Sequence, residues 1–292
     1  MAYYRSAGQD FYFPYPVPDL RPFETIHAGQ EDPHSFPYSF TGNEYPAPLA
    51  LSSRTTGWVG GRQCQVETWS APAGFILKVA GGSDFFIAPD GSEIVRMAAG
   101  TPPEITGFDQ EILVSPALVL ALALRGVWSL HASAAMYKEN VIVFLGESGQ
   151  GKSTLAAYLA QSAGWRLVAD DILPVKIDST GVNVYPRFPQ LKLPANAQPG
   201  ANLPEKLRLK YICVLAPAGP DRMPELHNLR SVQTVQVLLG HIAGTRMFDS
   251  ALLAKHLEFS TRVAVKTPAY RLIHPHRRDT LPLVREFLEK IC

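Results

Sequence analysis

The pattern of apolar and polar positions divides the chain into a stretch of short strands and a longer stretch that mixes strands with helices. Between residues 63 and 97, short runs alternate or are wholly apolar, and Pro89-Asp90-Gly91 is a strong turn signal before the last of them. This stretch predicts a small antiparallel sheet. Residues 109–125 predict a helix that is apolar almost all round, with Asp109 as its N-cap, and such a helix is expected to be buried between layers.

Downstream of this helix, apolar runs predict strands, and periodic apolar positions predict helices among them. The predicted strands cover 127–136, 141–145, 165–169, 211–215 and 269–273, with a hairpin around 178–181. The predicted helices cover 155–160, the stretch from 231 to about 259 with a break near 240–244, and 280–291. The chain is therefore predicted to have a mixed α/β (α+β) fold.

The first sixty residues are rich in proline, tyrosine and phenylalanine. Proline at this density disfavours helix, while the aromatic residues are too many for a solvated tail, so an extended arm over the rest of the protein is predicted. A lid or peptide-binding role for this arm is the alternative. The predicted organisation is an arm at 1–60, a small β-rich N-terminal domain with the buried helix at 61–125, and a second domain at 126–292.

Composition excludes several classes of protein. The net charge of the 292-residue chain is +1, so no basic field predicts a nucleic-acid partner, and the basic cluster 274–278 is interpreted as a solvated surface turn. The longest clean apolar stretch, 117–124, is too short to cross a bilayer, and the N-terminus lacks an apolar signal segment. The three cysteines, Cys64, Cys213 and Cys292, lack metal-ligand spacing. Cys64 and Cys213 lie in strand-like runs and are predicted to be reduced core thiols in a soluble, cytoplasmic protein.

The segment between the strand at 141–145 and the helix at 155–160 has the spacing of a phosphate-binding loop. Glycines let the backbone curl so that its N–H groups point inward, Lys152 supplies a positive charge for terminal phosphates, and the Ser153 hydroxyl can bind Mg²⁺. The positive end of the following helix faces the same phosphates. A nucleotide site is therefore predicted, the alternative being a chance glycine-rich turn. The predicted loop comprises Gly146, Glu147, Ser148, Gly149, Gln150, Gly151, Lys152, Ser153 and Thr154.

Two carboxylates and a histidine are predicted near this loop. Asp170 and Asp171 follow an apolar run, as metal-binding carboxylates do at the carboxyl edge of a sheet. Because adjacent strand residues point to opposite faces, the two need not share a role; the alternative is a pair that enters a turn. His131 lies on the strand before the loop strand and is predicted one strand from the phosphates, the alternative being an ordinary strand histidine. Candidate substrate contacts, which could equally be surface residues, are Arg187, Lys192 and Arg246.

Three blocks, Ser129–His131, Gly146–Ser153 and Arg166–Asp171, resemble in order and spacing the catalytic core of HPr kinase/phosphorylase. The wider layout, including Arg187–Leu193, resembles more closely the HPr-kinase-like proteins of peptide-modification gene clusters, among them the lasso-peptide precursor kinases. This resemblance implies a PEP carboxykinase-like P-loop kinase core rather than the usual doubly wound P-loop sheet.

The resemblance also implies an activity, an ATP-dependent serine kinase acting on a peptide or small protein, such as a lasso-type precursor. Lys152 and its loop would hold the phosphates of ATP or another nucleoside triphosphate, and Ser153 with Asp171 would bind Mg²⁺. Asp170 would be the catalytic base, with His131 in support. No nucleic acid or membrane partner is expected. A homo-oligomer and a monomer are both compatible with the sequence. The alternatives are a nucleotide-binding regulatory module without transfer activity and a small-molecule kinase on the same fold.

Overall fold

The computed structural model describes residues 2–13, 17–24, 48–97, 105, 107–190, 193, 203–219 and 221–291. The chain divides into two compact units, Met1–Trp128 with Gly244–Ala254, and Ser129–Ala243 with Lys255–Cys292. The first unit therefore contains a later segment that the sequence-based boundary at 125/126 left in the second domain. Within this unit the ring of Phe248 packs edge-on against Trp128, with centroids 5.8 Å apart.

The first unit consists mainly of antiparallel strands. A hairpin is followed by a short 3-10 helix, Pro18–Phe23, and then by a five-stranded sheet whose strands pair in chain order. The described part of 1–60 thus forms a hairpin, a 3-10 helix and a sheet strand, and for it the prediction of an extended arm is wrong. Residues 1, 14–16 and 25–47 of that arm lie outside the described residues. The strands are β1 (Ala2–Ser6), β2 (Gln9–Phe13), β3 (Ala50–Val59), β4 (Arg62–Ala71), β5 (Gly74–Val79), β6 (Asp84–Ile87) and β7 (Ile94–Met97).

The apolar helix of the first unit is continuous but irregular. It runs as α1 (Gly107–Ile112), a π-helical turn at Leu113–Ala117 that contains Pro116, and α2 (Leu118–Leu124). Proline has no N–H to donate within a helix, which accounts for the altered turn. Gly107–Leu124 is long and apolar enough to cross a membrane by length and composition, and 67% of it is buried in the protein, as in a core helix of a soluble protein.

Asp109 is not the N-cap of this helix, because the helix begins two residues earlier. Its carboxylate is buried and accepts hydrogen bonds from the N–H and Oγ of Ser83, each at 2.7 Å. It also lies 3.5 Å from Nη1 of Arg96, and both side chains are about 5% exposed. Asp109 therefore joins the helix to the sheet through a buried ion pair.

The second unit is built on a seven-stranded mixed sheet, which confirms the mixed α/β class. The order across the sheet is β11-β10-β8-β9-β12-β14-β13. The loop strand β9 pairs antiparallel with β8 and parallel with β12, which in turn pairs parallel with β14. Since β11 also pairs with the start of β12, part of the sheet closes on itself. The strands are β8 (Trp128–Tyr137), β9 (Asn140–Leu145), β10 (Trp165–Asp178), β11 (Gly181–Val184), β12 (Leu207–Ala218), β13 (Glu225–Asn228) and β14 (Ala269–Pro275).

The helices predicted downstream of the loop are confirmed. Two of them, α3 and α6, pack on one face of the sheet, where Leu155, Leu159, Val284 and Leu288 share a buried cluster with Phe144 and Leu272. This packing fixes the N-terminal end of α3 at the carboxyl edge of β9. The helices are α3 (Lys152–Ala160), α4 (Ser231–His241), α5 (Ser250–Lys266) and α6 (Leu281–Ile291).

Candidate functional site

The segment between β9 and α3 has the tight backbone that its glycines predict. Gly146 and Gly151 adopt φ values of +148° and +92°, which side chains disfavour. A Cβ on Gly146 would lie 2.4 Å from Oε1 of Gln150, so a side chain there would displace the Gln150 amide from its present place. The same Oε1 accepts a hydrogen bond from the N–H of Glu147 at 2.8 Å. Gln150 therefore braces the loop from within.

Lys152, the first residue of α3, is held at this loop. It is 8% exposed, and its Nζ donates to the carbonyl oxygens of Gly146 at 2.7 Å and Glu147 at 3.2 Å. A buried ammonium needs such partners, because leaving it unpaired would cost several kcal/mol. The positive charge is thus fixed beside the inward-facing backbone of the loop.

A cavity of about 200 Å³ opens between this loop and the sheet. The structure brings together here eight of the residues predicted from the sequence, among them Lys152 of α3, His131 of β8 and Asp171 of β10. Sequence reasoning missed Ser133, which lines the same cavity. We call this space the phosphate-loop cavity; its walls are His131, Ser133, Ser148, Gly149, Gly151, Lys152, Ser153, Thr154 and Asp171.

The two aspartates lie within β10, and the expectation that they end a strand is wrong, because β10 continues to Asp178. Asp171 adopts a φ of +122°, which is rare for a residue with a side chain. Oδ1 of Asp170 accepts a hydrogen bond from Oγ of Ser133 at 2.7 Å, and Oδ1 of Asp171 lies 3.3 Å from Nδ1 of His131.

His131 and Ser133 are two residues apart on β8 and share one face of the sheet. Both carboxylates therefore reach the same face, contrary to the expectation that adjacent strand residues point apart. The unusual φ of Asp171 is the local distortion that allows this arrangement.

Gln190 fixes the backbone of the aspartate pair from a neighbouring loop. It is 1% exposed, and its Oε1 accepts a hydrogen bond from the N–H of Asp170 at 2.8 Å. Its Nε2 donates to the carbonyls of Ile172 and Phe188, at 2.8 and 3.1 Å. The loop that was a candidate substrate contact thus has a structural role at this glutamine.

Of the three predicted substrate contacts, the two that the structure describes do not line the phosphate-loop cavity. Arg187 is partly buried and does not line it. Arg246 lies in a 3-10 turn, Thr245–Met247, that belongs to the first unit. Lys192 lies outside the described residues. Contact with a substrate stays a prediction for all three.

Two further cavities flank the loop. One of about 590 Å³ lies between the loop, the end of β12 and α4, and it includes Glu147 and His241. Burial lowers the pKa of His241; the charge of Glu147 raises it and that of Lys152 lowers it. Another of about 250 Å³ is lined by the basic turn 274–278, which therefore borders the loop and is not a simple solvated turn.

The donor set fits Mg²⁺ only together with phosphate oxygens. Among the residues that the structure describes, no group of three or more His, Cys, Asp or Glu side chains is arranged to hold a metal ion. Ser153 and Asp171 both line the phosphate-loop cavity, however, and both offer oxygen. Mg²⁺ is commonly bound by one or two such protein ligands and the phosphates of its nucleotide.

Comparison with known proteins finds similarity only among solved structures. No protein-family model matches the chain, and no curated protein matches it. Among solved structures, the chain is similar to the structure of the Hpr(Ser) kinase/phosphatase from Coxiella burnetii, at 14% sequence identity and a TM-score of 0.34. The match covers 56% of this chain and 89% of that one. A similarity with so low a TM-score does not support a conclusion about function. The functional proposal therefore depends on the cavity itself.

Proposed function

We propose that this protein is a Mg-ATP-dependent kinase that transfers a phosphoryl group to a Ser or Thr hydroxyl of a peptide or small protein, such as a lasso-type precursor. One observation carries the proposal. A single cavity brings the phosphate-loop residues Lys152 and Ser153 together with Asp171 and His131, and Asp170 is fixed beside it. Phosphoryl transfer needs positive charge, alignment and a carboxylate for the hydroxyl proton, and these residues supply all three.

The residues of the cavity divide these tasks. The loop N–H groups and Lys152 would hold the phosphates, and Ser153 with Asp171 would hold Mg²⁺. When bound, Mg²⁺ neutralises phosphate charge in the transition state. His131, whose Nδ1 lies 3.3 Å from Asp171, would keep that carboxylate oriented.

Asp170 is the candidate base. Its Oδ1 is occupied by the Ser133 hydroxyl, whereas Oδ2 forms no hydrogen bond to any described residue. In the transfer step, the acceptor oxygen forms a bond to the γ-phosphorus as the bond from that phosphorus to the β–γ bridging oxygen breaks. ADP leaves, and the hydroxyl proton passes to Oδ2 of Asp170.

The test is incubation with Mg-ATP and a library of Ser- and Thr-containing peptides, followed by mass spectrometry. We expect the wild-type protein to add the mass of one phosphoryl group to a subset of peptides. The double variant Asp170→Asn with Lys152→Ala should add none. Glu139→Gln, a change in an exposed turn residue outside the cavity, serves as the matched control and should behave as wild type. Phosphorylation that survives in the double variant would refute this mechanism.

Two other outcomes identify the alternatives. Tight nucleotide binding without transfer to any acceptor, unaffected by Asp170→Asn, would indicate a regulatory module. Consumption of ATP with a hydroxyl- or carboxyl-bearing metabolite, but with no peptide, would indicate a small-molecule kinase.

A further inference from the structure

The turn that follows β14 forms a second wall beside the phosphate loop. The basic turn 274–278 and residues Gly149, Gly151 and Thr154 line the cavity of about 250 Å³ noted above. Cε1 of His276 lies 3.8 Å from the position that a Cβ on Gly151 would occupy. The N–H of His276 donates to the carbonyl of Ala218 at 3.3 Å, which ties the turn to the end of β12.

This cavity and the phosphate-loop cavity share part of their walls. Gly149, Gly151 and Thr154 line both of them. The β8 and β10 side chains border the phosphate-loop cavity, and the end of β14 with the residues after it borders the other. In the sheet, β8 and β10 lie on the opposite side of β9 from β14. A ligand that crosses the N-terminal end of α3 would therefore have one end near Asp171 and the other at the turn.

His274 is one of the residues that line the 250 Å³ cavity, and its ring has a hydrogen-bond acceptor without a partner among the described residues. It is 4% exposed, and its Nδ1 lies 3.0 Å from the carbonyl of Pro275. Burial lowers the pKa of His274, which favours the neutral ring. Because a carbonyl can only accept, Nδ1 carries the proton, and Nε2 is left with a lone pair.

Nε2 of His274 is buried and has no hydrogen-bond partner among the described residues. Leaving such an atom unsatisfied costs about 1–3 kcal/mol, and a ligand with an O–H or N–H donor would recover part of that cost.

The basic residues around the cavity favour a ligand that carries a phosphate group. Nε and Nη2 of Arg277 are held by the carboxylate of Asp279 at 3.0 and 2.5 Å. Arg278 is exposed, and its side chain forms no hydrogen bond or ion pair with any described residue. The turn thus offers a neutral acceptor, an exposed imidazole and a cation beside a loop that binds anions.

We propose that this cavity binds the nucleoside half of the nucleotide, whose hydroxyl or amino group donates a hydrogen bond to Nε2 of His274. This inference rests on the proposed function and extends it to the part of the site that selects the nucleotide. The phosphates then run across the N-terminal end of α3 to the phosphate-loop cavity.

The test compares ATP with tripolyphosphate, which has the phosphates but no nucleoside, by calorimetric titration in the presence of Mg²⁺. The variants are His276→Ala, at an exposed position, and His274→Phe, which keeps a ring of similar size without the acceptor. We expect each to weaken ATP binding about tenfold, corresponding to about 1.4 kcal/mol, and to leave tripolyphosphate binding unchanged. His227→Ala, at an exposed histidine of β13, is the matched control and should change neither.

The outcomes separate this inference from the proposed function. If the wild-type protein binds neither ligand, the proposed function fails. The nucleoside assignment is wrong if the wild-type protein binds ATP no more tightly than tripolyphosphate. It is also wrong if the variants lower the affinity for both ligands equally, or for neither. In these cases the assignment of the phosphate loop is unaffected.

Two analogues identify the donor. A loss of affinity for 2′,3′-dideoxy-ATP assigns the donor to the ribose. A loss for purine riboside triphosphate, which lacks the base amino group and has no N–H donor in its place, assigns it to the base. If both analogues bind as tightly as ATP, the hydrogen bond to His274 is refuted.

Discussion

Asp171 is held at a φ of +122°. Two substitutions, by glycine and by alanine, therefore separate the effect of the Asp171 carboxylate from that of the backbone geometry. Side chains at such φ values cost about 1–3 kcal/mol, a cost that glycine does not have. Asp171→Gly and Asp171→Ala both remove the carboxylate that lies 3.3 Å from His131. Only glycine also removes the conformational strain of the positive φ. Glycine also gains about 0.4–1 kcal/mol of freedom in the unfolded chain, which opposes the relief.

The expected result is that Asp171→Gly is more stable than Asp171→Ala by about 1 kcal/mol, which corresponds to roughly 2–4 °C in Tm for a unit of this size. Both variants should lose phosphoryl transfer, since each lacks the proposed Mg²⁺ ligand. The assays are calorimetric unfolding and transfer to a peptide acceptor. A glycine variant that is less stable than the alanine variant would refute the strain argument, and either variant with wild-type transfer would refute the role of the carboxylate.

Three further changes test other parts of the structure. Asp109→Ala should lower the free energy of unfolding by about 3–5 kcal/mol in urea titrations, because it removes the carboxylate from a buried ion pair with Arg96. Ser133→Ala should slow transfer about tenfold to a hundredfold, with Mg-ATP affinity unchanged in a binding titration, because Asp170 loses an orienting hydrogen bond of about 1.5–3 kcal/mol. Burial raises the pKa of Glu93 to about 7 from 4.5 in the unfolded chain, so the folded state holds its proton more tightly. The stability of the wild type relative to Glu93→Gln should therefore fall as the pH rises from 4.5 to 7, as urea unfolding across that range would show.

The elements and the loop were largely predictable because their signals are local. The spacing of Gly146, Gly151 and Lys152 was predicted from what phosphate binding would require of a backbone, and the structure places them at the junction of β9 and α3. His131 was predicted one strand away from the loop, and β8 indeed pairs with β9. Apolar periodicity also predicted α4, α5 and α6.

Features that depend on distant parts of the chain were not predictable in this way. The hairpin predicted around 178–181 is confirmed by the antiparallel pairing of β10 with β11. The sequence did not show that the first strand of this hairpin is continuous with the strand through Asp171, and no sequence signal indicates the φ of Asp171. Gln190 reaches Asp170 across twenty residues of chain. The turn 274–278 meets the loop only because β14 and β9 flank β12. A weak signal existed for Ser133, since a hydroxyl inside an apolar strand needs a partner when buried.

The central claim is that Asp170 accepts the hydroxyl proton during transfer. Single-turnover transfer to a peptide that the wild type phosphorylates, measured with Asp170→Asn at saturating Mg-ATP, tests it most directly. The account predicts a fall in the transfer rate of about 10²–10⁴-fold. It also predicts an unchanged Kd for Mg-ATP, since Asp170 contacts Ser133 and does not line the phosphate-loop cavity. A rate equal to that of the wild type, or a loss of Mg-ATP affinity that accounts for the whole effect, would contradict it.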